Sequence, residues 1–531
     1  LSEQLAANLD LELAWRRVQR DLSERRVFVR HPYLEQLLSQ DLAGWLHGIR
    51  ERIASGEYQP SPSQIVWAPK PGHLVRPGSD LTLEDQVVFT ALVGSMIEQI
   101  RSAFDWEGEH PDYGYRLRTG EATDEIFGPW FHNLRTFNAS STELIDNGHS
   151  HVVLADIAGY YECVDLFTLR SDLNGLGVNS EELNFLTSML PRWSRVQRRG
   201  LPQGFSASNL LGKLYLNAVD LQLRNHGFMH LRWVDDFRIF CRSESEAINA
   251  LSVLTRVLGE RGLVMQSAKT RILGGNDARS SFNEIRDIIE PLNSQFLDHL
   301  RELGVLDDPS IMAGDLDSLL ESLHDDAPVD VLREAYQQNF GDNSTGFNKT
   351  VFRYLLRRLG HAGVASILDS VISHLRVHPE EFEAIANFAS CVQGNERLET
   401  AFVELRRQHL LPHDYQDYQF FRWILRQAEA PCELAMNLAR EQGISHPRSW
   451  YTRSIARAVV GRWGNQADLE SILNAYPNAN SEMERIEIIC SLQRMEPSRR
   501  NAFLGHAAGD GRLPSEAARF VRQNRVQWNL C

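Results

Sequence analysis

Residues Arg232 to Phe240 read RWVDDFRIF, with two adjacent carboxylates, Asp235 and Asp236, between short apolar, β-prone stretches. That is the pattern of a hairpin with an acidic tip. An earlier run, HVVLAD from His151 to Asp156, is short and rich in β-branched residues and ends on a third carboxylate. It reads as a strand buried on both faces. Three carboxylates from two strands can hold two divalent cations about 4 Å apart, and such a pair stabilises the attacking and leaving oxygens of phosphoryl transfer. A lone Asp pair is commonly a solvated turn, so the segments around it decide the reading. Between the two acidic segments lies RRGLPQGFSASNLLGKLYLNAVD, Arg198 to Asp220. Pro202-Gln203-Gly204 is a turn signal. Behind it Leu210, Leu211, Leu214 and Val219 fall on one helical face.

In these segments the chain resembles the reverse transcriptases. Their first palm motif stands here as Asp156-Ile157-Ala158-Gly159-Tyr160-Tyr161, and their second as Leu201-Pro202-Gln203-Gly204-Phe205-Ser206-Ala207-Ser208. The third is Trp233-Val234-Asp235-Asp236, and the fourth is Gly262-Leu263 followed by Lys269-Thr270. Upstream, Trp67 to Pro77 looks like the fingers segment that holds a triphosphate, and Tyr113 to Leu117 like the bacterial-type segment joining fingers to palm. The likeness runs from about residue 60 to 275. One position departs from it: Trp233 stands where Tyr or Phe is usual, which bears on template and primer handling more than on the metal ligands.

The resemblance implies Asp156, Asp235 and Asp236 as catalytic metal ligands for Mg2+ or Mn2+. It implies Tyr161, five residues past Asp156, as the ring that excludes a 2′-hydroxyl, against ordinary core packing, with Tyr160 its buried neighbour. Gln203 and Gly204 are expected to line the nascent base pair, where glycine permits close backbone approach. Lys70 and Arg76 lie on a Pro- and Gly-rich segment suited to a β-hairpin, where two cations can neutralise a triphosphate. The alternative reading for them is a surface pair. Lys269 is a candidate general acid toward pyrophosphate, or a structural lysine. Asp165 reads as a helix cap or surface acid.

A net charge of −15 argues against a long, open nucleic-acid track. Arginines are nonetheless clustered, at 16, 17, 20, 25, 26 and 30 and at 192, 195, 198 and 199. The first group reads as much as solvated helix surface as anything else. The second leans toward phosphate contact, because the LPQG loop follows it. The six cysteines are scattered, with no C-x-x-C pair, which points to a reduced, cytoplasmic setting without structural metal. Cys163 and Cys241 should pack as small apolar residues. No apolar run is long enough to span a bilayer, so no membrane partner is expected. The N-terminal twenty residues read as an amphipathic helix, not a signal peptide.

The expected fold class is α+β: a reverse-transcriptase-like fingers and palm over 1–290, then an all-α, HEAT-like helical-repeat domain over 291–531. Gly274-Gly275-Asn276-Asp277 is a breaker cluster after which strand-like runs cease. Ile367, Leu368, Val371, Ile372 and Leu375 mark one apolar helix face, and Leu469, Ile472, Leu473 and Tyr476 another. Ser481 with Glu484 forms a capping-box pattern. This layout is similar to that of the bacterial defence-associated, abortive-infection (AbiK-like) reverse transcriptases. It implies dNTP substrates, a DNA product, a non-coding RNA as template, homo-oligomers, and templated, untemplated or protein-primed synthesis in anti-phage defence. Candidate priming tyrosines are 33, 58, 336, 354, 415, 418, 451 and 476. The rival readings are an RNA-dependent RNA polymerase, disfavoured by Tyr161 and the LPQG loop, and a scaffold with a relict palm, disfavoured by the intact Asp triad.

Overall fold

Val152 and Val153 are adjacent in sequence, point to opposite sides of a strand and are both fully buried, so the sheet they belong to is covered on both faces. The computed structural model describes residues 3–23, 27–105, 109–118, 124–196, 198–282, 329–341, 346–444, 448–479 and 481–528. It divides into two compact units. The first comprises 1–28, 42–66 and 77–284; the second comprises 29–41, 67–76 and 285–531. The expected boundary near 290 falls outside the described residues.

A hairpin is formed by β1 (Gln64–Lys70) and β2 (Leu74–Asp80), as the Pro/Gly-rich segment suggested. Its turn, Pro71–His73, carries Gly72 at φ 74°. The first unit is centred on a four-stranded antiparallel sheet made of β3 (His151–Asp156), β4 (Met229–Trp233), β5 (Asp236–Cys241) and β6 (Arg271–Gly274), ordered β4-β5-β3-β6. On one face Val152, Leu231 and Phe240 join Tyr113, Phe137 and Phe282 in a single apolar cluster. The side chains pointing the other way, Val153, Ala155, Phe237 and Ile239, are also buried. Helix Glu244–Glu260 packs along β3 and β5.

Helix Ser206–Asn225 runs directly from the LPQG loop, and Leu210, Leu211, Leu214 and Val219 are all buried as the periodicity required. Each such side chain contributes about 2 kcal/mol of burial. Its N-terminus has no cap of its own. Asp21 of helix Leu11–Ser23 supplies one, accepting from the Ser206 N–H at 2.9 Å and the Ser206 hydroxyl at 2.6 Å. The N-terminal arginines are therefore only partly solvated surface: Arg17 is buried, while Arg16 pairs with Asp124. The breaker cluster follows the last described strand, as expected. Gly274 ends β6, the Gly275 N–H donates to the Ser150 carbonyl, and 275–282 continue as helix. The cluster turns the chain from the strand into a helix start.

In the second unit every described regular element beyond 329 is helical. Alternate helices stack in one layer: Lys349–His361 on Phe382–Cys391, then Asp414–Arg426, Trp450–Trp463, Glu482–Ser491 and Arg512–Arg522. Asn395–Arg407, Glu433–Ile444 and Gln466–Asn474 pack in sequence as a second row. The two apolar faces read from the sequence are buried, except for the half-buried Leu473. The capping box forms only by half. Ser481 accepts from the Glu484 N–H, but the Glu484 carboxylate accepts from Arg453 and Arg457, each at 2.8 Å. Two buried guanidiniums outbid one backbone amide for it. Residues 29–41 belong to this unit: the His31 ring stacks on Trp450 at 4.8 Å, and the Arg30 N–H donates to the Tyr418 hydroxyl at 2.8 Å. The hairpin turn Pro71–His73 also packs here, against Pro379–Glu381.

Candidate active site

Antiparallel pairing of β3 with β5 sets Asp156 directly opposite Asp236. Pairing of β4 with β5 sets Trp233 opposite Asp236, which leaves Val234-Asp235 as a two-residue turn. Val234 sits at φ 58°, in the left-handed region. Such turns normally take Gly or Asn, and a β-branched residue there is strained by about 1–3 kcal/mol. The three carboxylates thus arrive from one strand end and one tight turn. Burial, then the charges of Asp236 and Asp156, push Asp235 up to about 6.

Pairing of β6 on the other edge of β3 brings the short turn Ser267–Lys269 beside the strand end. The Gln266 N–H donates to the Asp156 carbonyl at 2.7 Å, and the Ala158 N–H to the Val264 carbonyl at 2.8 Å. The Lys269 ammonium donates to Asp156 Oδ2 at 2.5 Å. Burial lowers the Lys269 pKa, but the bond to Asp156 and the fields of all three carboxylates outweigh it, so the net shift is upward. No set of three or more His, Cys, Asp or Glu side chains among the described residues converges as it stands on a point that would hold a metal ion. The lysine ammonium engages Asp156 instead. The donor set nevertheless suits a hard dication: carboxylate oxygens only, close enough to repel one another.

Beneath the carboxylates a cleft of about 430 Å3 is lined by Phe137, Leu154, Trp233, Arg238 and Phe282. Trp233 packs on Phe137, ring centres 5.8 Å apart. Arg238, opposite Leu154, lies over the rings of Phe137 and Phe282 at 4.0 and 3.8 Å. The sequence reading passed over it, although its place two residues after Asp236 puts it on the same sheet face.

Tyr160 is buried, and its hydroxyl donates to the Gly212 carbonyl at 2.5 Å. Tyr161 is half-buried and donates to Asn209 Oδ1 at 2.7 Å. A Cβ on Gly212 would press on both rings at 3.3–3.4 Å. Asn209 and Gly212, which set this ring, were missed; their spacing behind the LPQG turn was the available signal. Gln203 exchanges backbone hydrogen bonds with Ser79, its N–H donating to the Ser79 hydroxyl and its carbonyl accepting from the Ser79 N–H, each at 3.2 Å. Its side-chain carbonyl is buried without a partner. Gly204 has φ 111°, which a side chain would strain. Lys70 ends β1 and Arg76 lies exposed on β2, both in segment 67–76 of the second unit, whereas the carboxylates belong to the first. Asp165 caps helix Leu166–Gly175 through the Thr168 N–H at 2.8 Å. Cys241 is fully buried, and Cys163 half-buried.

Of the tyrosines named as primers, 33, 58, 336, 418, 451 and 476 are buried, and Tyr58 donates to Asp85 at 2.5 Å. Tyr354 and Tyr415 are half-exposed. Arg192, Arg195, Arg198 and Arg199 are all exposed, and the Arg198 carbonyl accepts from the Leu166 N–H, which brings the chain at the exposed Phe167 near Arg198.

Residues 87–297 match the family model for reverse transcriptase (RNA-dependent DNA polymerase). Protein YkfC of Escherichia coli (strain K12) is 25% identical over 193 residues, 35% of this chain and 47% of YkfC. The chain thus spans about half the length of this curated relative. Among solved structures, telomerase from Candida albicans with the TWJ fragment of telomeric RNA is similar at 12% identity and a TM-score of 0.32, over 66% of this chain and 65% of that one. Apo telomerase from Candida tropicalis is similar at 10% identity and 0.31, over 68% and 69%. Overlaps that low carry no argument. No helix among the described residues is long and apolar enough to cross a membrane.

Proposed function

We propose that this chain, which carries a reverse transcriptase (RNA-dependent DNA polymerase) domain, adds deoxynucleotides to DNA by phosphoryl transfer at Asp156, Asp235 and Asp236. The observation that carries the reading is the register of Asp156 opposite Asp236, with Asp235 on the adjoining turn. These carboxylates are the residues that would hold Mg2+ or Mn2+, and the ions when bound supply Lewis-acid stabilisation of the attacking and leaving oxygens. Lys269, kept protonated by the carboxylates around it, is assigned to give its proton to the departing pyrophosphate. Gln203 offers its unpartnered carbonyl, and Gly204 its bare backbone, to the nascent base pair. Lys70 and Arg76 on the hairpin are assigned to the triphosphate.

Tyr161, held by Asn209, is assigned to sugar selection. Tyr161→Ala should incorporate ribonucleotides about 10- to 100-fold better relative to deoxynucleotides, a change of about 1.4–2.8 kcal/mol in discrimination. Competition of each dNTP with its rNTP measures this. A variant that uses dNTPs well and rejects rNTPs as strictly as wild type would move the gate to another residue.

The finer assignments rest on the abortive-infection resemblance: an anti-phage role, a HEAT-like array in place of a thumb, homo-oligomers, a non-coding RNA template and priming on the protein itself. The stacking of alternate helices supports the array. Priming is assigned to Tyr354 or Tyr415, the two named tyrosines that are not fully buried. The exposed arginines at 192, 195, 198 and 199, with the exposed Phe167 near Arg198, suit a single-stranded nucleic acid, where cations meet phosphates and a ring stacks on bases.

A further inference from the structure

Behind the acidic turn lies a buried charge cluster that none of the assigned roles uses. Asp112 and Asp220 are wholly buried, as are Lys213, His230 and Arg232 to within a few per cent. Lys213 Nζ donates to Asp112 at 2.9 Å. Arg232 donates to both oxygens of Asp220, through Nε at 3.0 and 3.2 Å and Nη2 at 2.6 Å, and its Nη1 lies 3.4 Å from Asp112. His230 Nε2 lies 3.2 Å from the same Asp220. The two carboxylates and two cations cancel, which is the condition for keeping them out of water.

Arg232 has one more partner. Its Nη1 donates to the Val234 carbonyl at 2.5 Å, the carbonyl of the strained residue immediately before Asp235. A second hold comes from segment 111–114. The Arg232 N–H donates to the Pro111 carbonyl at 2.7 Å, and the Tyr113 N–H to the Arg232 carbonyl at 2.8 Å. Asp112 Oδ1 accepts from the Gly114 N–H at 2.9 Å, and a Cβ on Gly114 would come within 2.7–2.8 Å of Val234. The turn is therefore gripped from inside by a guanidinium and from outside by a glycine that fits only because it lacks a side chain.

We propose that Arg232, fixed by Asp220 and Asp112, is a positioning residue that holds the Val234 turn in its left-handed conformation and so aims Asp235 at the divalent-cation site. The proposal rests on the assignment of Asp156, Asp235 and Asp236 made above. A turn of this conformation does not persist unless its surroundings over-determine it. Lysine would keep the buried positive charge but not the planar fork that reaches Asp220 and the Val234 carbonyl together.

The test compares wild type, Arg232→Lys, the charge-balanced pair Arg232→Gln with Asp220→Asn, and Gly114→Ala, with Asp236→Asn as control. Four quantities are read: Mn2+ affinity of the protein by electron paramagnetic resonance titration, kcat and KM for dNTP incorporation, and melting temperature. Arg232→Lys should remain folded at the assay temperature yet lose about 10- to 100-fold in Mn2+ affinity and in kcat, with KM for dNTP changed less than about twofold. The balanced pair, which leaves no orphaned buried charge, and Gly114→Ala should show the same split. If Arg232→Lys and the balanced pair keep both Mn2+ affinity and kcat, or lose only melting temperature, Arg232 is a structural residue and the proposal is overturned. If Asp236→Asn leaves Mn2+ binding and incorporation intact, the carboxylate assignment fails first, and the clamp falls with it.

Discussion

Asp236→Asn will reduce nucleotide incorporation by about a thousandfold, equivalent to about 4 kcal/mol of transition-state stabilisation. The change swaps a charged oxygen ligand for a neutral amide at a site that suits hard dications. Asp236 is exposed, so the fold should survive the change. Asp235→Asn should be equally inactive but different in stability. Its carboxyl is pushed up to about 6 by burial and by its two acidic neighbours. A carboxyl whose folded pKa lies above its unfolded one makes a contribution that is lost as pH rises through the folded value. At pH 7.5 the ionised, buried Asp235 therefore costs stability, and its amide should raise the melting temperature by a few degrees while abolishing activity. Melting curves and initial rates on the same preparations check both halves. An Asp235→Asn protein that is active, or an Asp236→Asn protein that is unfolded, would contradict the account.

The second large effect concerns where synthesis starts. A strongly acidic chain is poorly suited to loading a duplex from solution, and a tethered hydroxyl provides a high effective concentration without diffusion. Label from radioactive dNTP should migrate with the polypeptide under denaturing conditions and shift after protease digestion. The whole chain is the right material for this. Residues 29–41 and 67–76 group with the helical unit, so removing everything past 300 would also strip those segments of their partners. Of the tyrosines named from sequence, Tyr354→Phe or Tyr415→Phe should abolish the protein-linked species. The same change at Tyr418, whose hydroxyl accepts from the Arg30 N–H, should only lower stability, by about 1 kcal/mol. Products that ignore protease and require an added oligonucleotide would identify a conventionally primed enzyme.

What the sequence disclosed and what it concealed divide along physical lines. Asp156, Asp235 and Asp236 were legible because strand ends and tight turns leave local signatures: a β-branched run stopping at an acid, and an acidic pair between two apolar stretches. The helix behind the LPQG loop was legible from four apolar residues at helical spacing. Asp21 was not, because its role as cap for Ser206 is a contact across 185 residues that no local pattern encodes. The cluster of Asp112, Lys213, Asp220 and Arg232 was hidden for the same reason. Each member reads in isolation as a surface charge, and only the fold shows that they are buried together. Ser481 failed in the opposite direction: the local capping pattern was correct, but Arg453 and Arg457 took the Glu484 carboxylate. The hairpin bearing Lys70 and Arg76 was readable as a hairpin, yet its turn packs on Pro379–Glu381, some three hundred residues away in sequence.

The most direct test supplies the purified protein with labelled dNTPs or labelled rNTPs, with and without RNA, in Mg2+ or Mn2+ and again in chelator. The account predicts metal-dependent, chelator-sensitive incorporation of deoxynucleotides into a DNase-sensitive product and strong rejection of ribonucleotides, with added RNA showing whether synthesis is templated. Incorporation of ribonucleotides in preference, or no incorporation of either under any of these conditions, would contradict it.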